Sequence, residues 1–232
     1  MGTVETGGGA RKRRGFLDYA AIVIPGIGRV RAQKEPFARA WERENERALA
    51  SGEPLWVALG DSMSQGIGAA DISGGWVAQL RDRLDGVAVL NLSVTGARIG
   101  DVLTDQLPRL HDLGVRPRLV TLMVGANDML LRKRRRGAPD EFRAVLDRLP
   151  GCDAVIATLP QGVTEAQEIN AVLDREAAAG RLRVAEMRGG ALGSWRGSLA
   201  EDFFHPNERG YARIAAVFED PVRRSLREPR RQ

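Results

Sequence analysis

Beyond residue 52 the sequence alternates short apolar runs with longer stretches of helical periodicity, and no other feature narrows the fold so far. Residues 55–59 (LWVAL), 87–92 (VAVLNL), 118–124 (RLVTLMV), 153–158 (DAVIAT) and 183–186 read as strands. Helical patterns occupy residues 75–84, 99–111, 142–149, 164–179 and 208–218. Runs that are apolar throughout, rather than alternating, suit strands buried on both faces, as in a parallel sheet covered by helices. Right-handed crossovers then give an α/β fold, a three-layer α/β/α sandwich. A chain of 232 residues is long enough for one such domain with an arm to spare.

The arm is residues 1–52, the domain residues 53–222, and residues 223–232 a basic tail. Residues 1–14 are glycine-rich and basic and read as unstructured. Residues 11–28 loosely imitate a signal peptide, but Asp18 and Pro25 interrupt the apolar patch and no cleavage site follows cleanly. We read this stretch as uncleaved, with residues 11–30 a candidate for weak membrane-surface contact. Residues 35–50 read as an amphipathic helix, with Phe37, Trp41, Ala48 and Leu49 near one face. Ser51 and Gly52 end it. No apolar stretch reaches the ~20 residues of a membrane span.

The net charge of +5 invites a nucleic-acid reading, which the distribution opposes. Residues 1–14, 132–136 and 223–232 together hold net +12, leaving net −7 for the rest. Such runs are usually solvated. The run at 132–136 is read as a solvated face or, alternatively, as a positive lip that draws anionic esters. No nucleic-acid partner is expected. The single cysteine, Cys152, gives no sign of oxidising export and reads as a packed residue at a strand start. A cytoplasmic location is the expectation.

In open parallel sheets, ligands bind outside the carboxyl ends of the strands. Strand one ends in Gly60-Asp61-Ser62-Met63-Ser64, strand two leads to Gly96, and strand three ends in Gly125-Ala126-Asn127-Asp128. The last loop holds Asp202-Phe203-Phe204-His205-Pro206. A serine hydroxyl needs a base to become a nucleophile. Histidine, with a reference pKa of ~6.5, can take and return that proton near neutrality. A carboxylate on the other ring nitrogen fixes the tautomer. Asp202 and His205, three apart, can meet within one tight turn. An oxyanion needs donors, which the Asn127 amide and the backbone N–H groups of Ser62 and Gly96 can supply. Asp61 and Asp128 read as loop braces, His111 as a surface or structural residue, and Met63 and Trp76 as core.

These four blocks, in this order, resemble the SGNH hydrolases, the GDSL-type esterases and lipases. The resemblance spans residues 55–220, and Ser62, Gly96, Asn127 and His205 match the four residues that name the family. It implies a flavodoxin-like five-stranded sheet of order 2-1-3-4-5. It also implies a carboxylic-ester hydrolase working through an acyl-serine, with catalytic Ser62, Asp202 and His205 and an oxyanion hole of Ser62, Gly96 and Asn127. No cofactor and no metal are implied. The substrate is a lipid or small-molecule ester. Alternatives on the same site are a carbohydrate O-acetyl group, a thioester or a lysophospholipid; a more distant one is a non-catalytic binding relative.

Overall fold

The computed structural model describes residues 25–228. Five strands form one all-parallel sheet in the order β2-β1-β3-β4-β5. They are β1 (Leu55–Gly60), β2 (Ala88–Asn91), β3 (Leu119–Met123), β4 (Asp153–Ala157) and β5 (Arg183–Ala185). All five coincide with the predicted runs. The expected sandwich and strand order are both present.

Alternate residues of each strand face opposite sides of the sheet, and the core divides accordingly. Val57, Leu59, Val120, Leu122 and Ile156 pack on the helices Ala138–Arg148 and Thr164–Ala178 and on the helical rod that starts at Ile99. Trp56, Ala58, Val89, Leu119 and Val155 pack instead on Lys34–Ala50, Trp76–Arg81 and Glu208–Arg227. On this second face the Trp76 ring stacks on Phe218 at 4.1 Å. Burying one such large apolar side chain contributes roughly 1.5–3 kcal/mol. Trp76 is core, as expected, and Cys152 packs partly buried against the first cluster.

Two expectations need correction. Leu49 is exposed, and the buried stripe of the Lys34–Ala50 helix is Phe37, Trp41, Asn45 and Ala48. The helical repeat carries that stripe through position 45 and turns Leu49 away. Asn45 tolerates burial because its side chain bonds both backbone groups of Asn91. The closing helix runs on to Arg227, past the expected end at Phe218. Pro221 lies inside it, yet the buried stripe continues through Val222 and Ser225, so tertiary packing outweighs the missing N–H. Residues 223–227 are therefore helix rather than tail.

The Pro25–Ala32 helix buries Gly26 and Val30, the latter beside Phe37 and Ile67. Residues 25–30 thus pack on the protein, while the rest of the 11–30 stretch and the 1–14 segment lie outside the described residues. The basic run at 132–136 forms a short helix, Arg132–Arg135, with mostly exposed side chains. His111 is exposed, which selects the surface reading over the structural one. Among the described residues no helix is long and apolar enough to cross a membrane.

Candidate active site

The sheet order makes β1 and β3 neighbours, while the chain leaves β1 toward β2 on the other side. The crevice at the carboxyl end of β1 and β3 is thus the topological switch point of the sheet. Ser62 follows β1 and Asn127 follows β3. Gly60 pairs with Met123, and the Asp61 N–H donates to the Met123 carbonyl at 3.3 Å. The two loops therefore leave the sheet side by side.

Ser62 opens a one-turn helix, Ser62–Gln65. Asp61 caps it: its carboxylate accepts from the Met63 N–H at 3.0 Å. Burial pushes the Asp61 carboxyl up to about 6, against the opposing pull of that N–H and of nearby His205. The turn before the helix is fixed from behind by Gln106. Its amide donates to the Gly60 carbonyl at 2.7 Å and accepts from the Gly60 N–H at 2.9 Å. Gln106 ends a π-helical stretch, Val102–Gln106, and is fully buried. A π-turn shifts helical phase, which here accompanies a polar side chain turned toward the sheet.

His205 reaches the same point from the last loop. Its Nε2 lies 2.9 Å from Ser62 Oγ, and its Nδ1 lies 2.6 Å from Asp202 Oδ2. Asp202 Oδ1 accepts from the N–H groups of Phe204 and His205, both at 3.0 Å. Burial raises the Asp202 carboxyl, but the His205 bond and the two N–H donors outweigh it, so its pKa ends below the ordinary value. An ionised Asp202 can only accept, so His205 Nδ1 carries the ring proton and Nε2 presents a lone pair to the Ser62 hydroxyl. The turn needs Phe203 at φ 56°, a left-handed conformation that a bulky residue adopts at a cost. The Phe204 ring stands edge-on to the imidazole at 4.9 Å. Gly68 lets this loop come close: a Cβ there would sit 2.5 Å from the Pro206 carbonyl oxygen and 2.8 Å from His205 Cβ.

The Asn127 amide donates to the Ala97 carbonyl at 2.9 Å, which leaves its second proton for another acceptor. Asp128 is buried beside it and accepts from the Ile99 N–H and from Arg98, both at 3.1 Å. Asp61 and Asp128 thus brace loops, as expected. Gly96 has φ 86°, and a Cβ there would meet nothing within 4 Å. Backbone conformation rather than crowding demands glycine at that position. The N–H groups of Ser62 and Gly96 have no acceptor among the described residues.

An apolar cavity of about 370 Å³ adjoins the Ser62 turn, lined among others by Met63, Met123, Leu159, Leu192, Phe203 and Phe204. Met63 is thus both core contact and cavity wall. A larger concavity, about 1400 Å³, lies at the opposite end of the strands among Arg116, Arg143 and Arg181. The smaller one is the candidate substrate cavity, because Asp61, Met63, Ala126, Phe204 and Pro206, the chain neighbours of Ser62, Asn127 and His205, line it. Among the described residues no group of three His, Cys, Asp or Glu side chains could hold a metal ion.

All the predicted site residues lie on the carboxyl rim of the sheet, and Ser62, His205 and Asp202 are hydrogen-bonded in series. Sequence reasoning missed Gln106, Gly68, Gln65 and Asn91. The available signal was a polar residue inside an apolar pattern, as at Asn91 within VAVLNL.

A sequence model described as the GDSL-like Lipase/Acylhydrolase family matches residues 58–213. No curated protein sequence matches the chain. Among solved structures, the chain is similar to a lipolytic protein of the G-D-S-L family from Veillonella parvula. The TM-score is 0.60 and the identity 20%, over 73% of this chain and 98% of that one. A family 3 carbohydrate esterase from Clostridium thermocellum gives a TM-score of 0.59 and 19% identity, over 75% and 97%. The psychrotrophic esterase EstA from Pseudoalteromonas gives 0.55 and 20%, over 76% and 100%. At these identities the structures speak for the fold alone, and the family match speaks for descent. The chain belongs to the GDSL-like lipase/acylhydrolase family.

Proposed function

We propose that this protein is a serine esterase that transfers the acyl group of a carboxylic ester to Ser62 and then to water. The observation that carries the reading is the unbroken series Ser62 Oγ, His205 and Asp202, whose chain neighbours Asp61, Met63, Phe203, Phe204 and Pro206 line an apolar cavity. His205 Nε2 takes the hydroxyl proton as Ser62 Oγ attacks the carbonyl carbon. The developing oxyanion accepts from the N–H groups of Ser62 and Gly96 and from the second amide proton of Asn127. The tetrahedral species collapses, the carbon–alkoxide bond breaks, and the leaving alcohol takes the proton from His205. Water then attacks acyl-Ser62, giving its proton to the same nitrogen. The acid departs and the Ser62 hydroxyl is restored. Asp202 holds the imidazole and stabilises its charged form throughout.

The apolar lining of the cavity favours an acyl chain longer than acetyl, because burying each methylene contributes roughly 0.8 kcal/mol. A p-nitrophenyl ester series from acetate to palmitate, with wild type and Ser62→Ala, tests both parts. The reading expects activity that disappears in the variant and an optimum beyond acetate. Undiminished activity in Ser62→Ala overturns the nucleophile. An optimum at acetate overturns the acyl-chain assignment and favours an O-acetyl esterase.

A further inference from the structure

Residues 33–45 precede the family-matched residues, yet three of their side chains end on the backbone around Ser62. Asn45 donates to the Asn91 carbonyl at 2.8 Å and accepts from the Asn91 N–H at 2.7 Å. Trp41 Nε1 donates to the Gln65 carbonyl at 2.9 Å. Gln33 donates to the Ala69 carbonyl and accepts from the Gly68 N–H, both at 2.8 Å.

What these three hold is the frame of the site. Asn91 donates to the Ser64 carbonyl at 2.8 Å, inside the Ser62 helix, and its side-chain oxygen accepts from both the N–H and the hydroxyl of Ser93. Gln65 donates to the Ser93 carbonyl at 2.8 Å and accepts from the Thr95 hydroxyl. Thr95 is the residue before Gly96. The Ser62 helix and the Gly96 loop are thus tied to each other through Asn91 and Gln65, and Asn45 and Trp41 anchor both ties. Gln33 fixes Gly68, against which the His205 loop rests. Trp41, Asn45, Gln65, Asn91 and Ser93 are all buried, so water does not compete for these bonds.

We propose that residues 33–45 belong to the catalytic apparatus, with Asn45 and Trp41 as positioning residues that set the spacing of the Ser62 and Gly96 N–H donors. The proposal rests on the serine-esterase reading above. Donors serve an oxyanion only when held at the right separation, and small misplacements are costly in rate. The segment supplies that rigidity from outside the matched domain.

The test compares wild type, Asn45→Ala and Trp41→Phe in the full-length protein. The second variant keeps an aromatic ring at the position, smaller than the indole, and removes the donor to Gln65. Val145→Ala, in the opposite core face, serves as a destabilised control. Three quantities are measured: kcat and KM on a p-nitrophenyl ester, the affinity for a trifluoromethyl ketone that forms a tetrahedral oxyanion adduct, and the melting temperature. The expected result is a kcat loss of ~10- to 100-fold for Asn45→Ala and a smaller loss for Trp41→Phe. KM should change little, and ketone affinity should fall in step with kcat. Val145→Ala should melt earlier with kcat intact. If the two variants melt earlier while kcat and ketone affinity stay at wild-type values, the segment is only structural and the proposal is overturned. Should Asn45→Ala not fold, Trp41→Phe decides by the same two readouts. Failure of a fluorophosphonate to label wild-type Ser62 overturns the underlying reading, and the inference with it.

Discussion

The two sides of the candidate site are held in different ways. On the serine side, the Ser62 turn and helix are fastened by Gln106, Asn91 and Trp41, all buried and drawn from separate elements, and by the helix's own Gln65, which reaches the Ser93 carbonyl. On the histidine side, His205 is held mainly by its own turn: Asp202 accepts from the next residues, and Phe203 carries the strain. Exposure follows the same division. Ser62 and Ser64 are buried, whereas Phe203 is 78% exposed. Their carboxylates diverge too. Burial leaves Asp61 raised to about 6, whereas hydrogen bonds leave Asp202 lowered. The serine is set by the fold as a whole, and the base by a local turn whose geometry one carboxylate maintains.

That contrast predicts the largest effect at Asp202. Asp202→Asn removes the charge that fixes the His205 tautomer, and kcat should fall by ~10⁴-fold while the protein remains folded. The stability effect has a defined sign. Because its folded pKa is lowered, Asp202 contributes stability above its unfolded value of ~3.9, lost as pH falls through the folded value. Melting curves should therefore show wild type ahead of Asp202→Asn at neutral pH and the gap closing in acid. A gap that persists unchanged into strong acid would count against the ionised pair.

A smaller effect is expected at Asn127. Asn127→Ala removes one donor, and kcat should fall by ~10²–10³-fold with KM little changed. Wild-type kcat in this variant would take Asn127 out of the oxyanion assignment and leave it as a clasp on Ala97.

The smallest effect, and the opposite sign, belongs to Asp61. A raised pKa means the folded state binds the proton more tightly between ~3.9 and about 6, so Asp61 favours folding at low pH and opposes it as pH rises through about 6. Relative to wild type, Asp61→Asn should gain stability across that interval. Chemical denaturation at pH 5 and pH 7 reads the difference. A relative loss instead would show that the ionised carboxylate is needed as the cap.

Most of this architecture was legible in the sequence. Apolar runs placed β1 to β4, because burial on both faces leaves few polar residues in them, whereas β5, an edge strand with only Ala185 buried, carries a much shorter apolar signal. The four blocks placed Ser62, Gly96, Asn127, Asp202 and His205 on one rim. What escaped was polar and buried. Asn45 on the helical stripe, Asn91 in a strand and Gln106 in a π-turn are acceptable only because distant backbone groups satisfy them, and periodicity carries no record of such partners. The end of the last helix escaped for a related reason, since packing of Val222 and Ser225 overrides the local effect of Pro221. Leu49 was misplaced because the stripe passes through Asn45, a residue that hydropathy assigns to solvent.

The central claim is that Ser62 becomes acylated. Acid-quenching the enzyme during turnover of a p-nitrophenyl ester and mapping its peptides by mass spectrometry tests this directly. The account predicts the acyl mass on the peptide containing Ser62, absent in Ser62→Ala, with hydrolysis lost in the same variant. Hydrolysis at the wild-type rate in Ser62→Ala, or an acyl group on another residue that turns over competently, would contradict it.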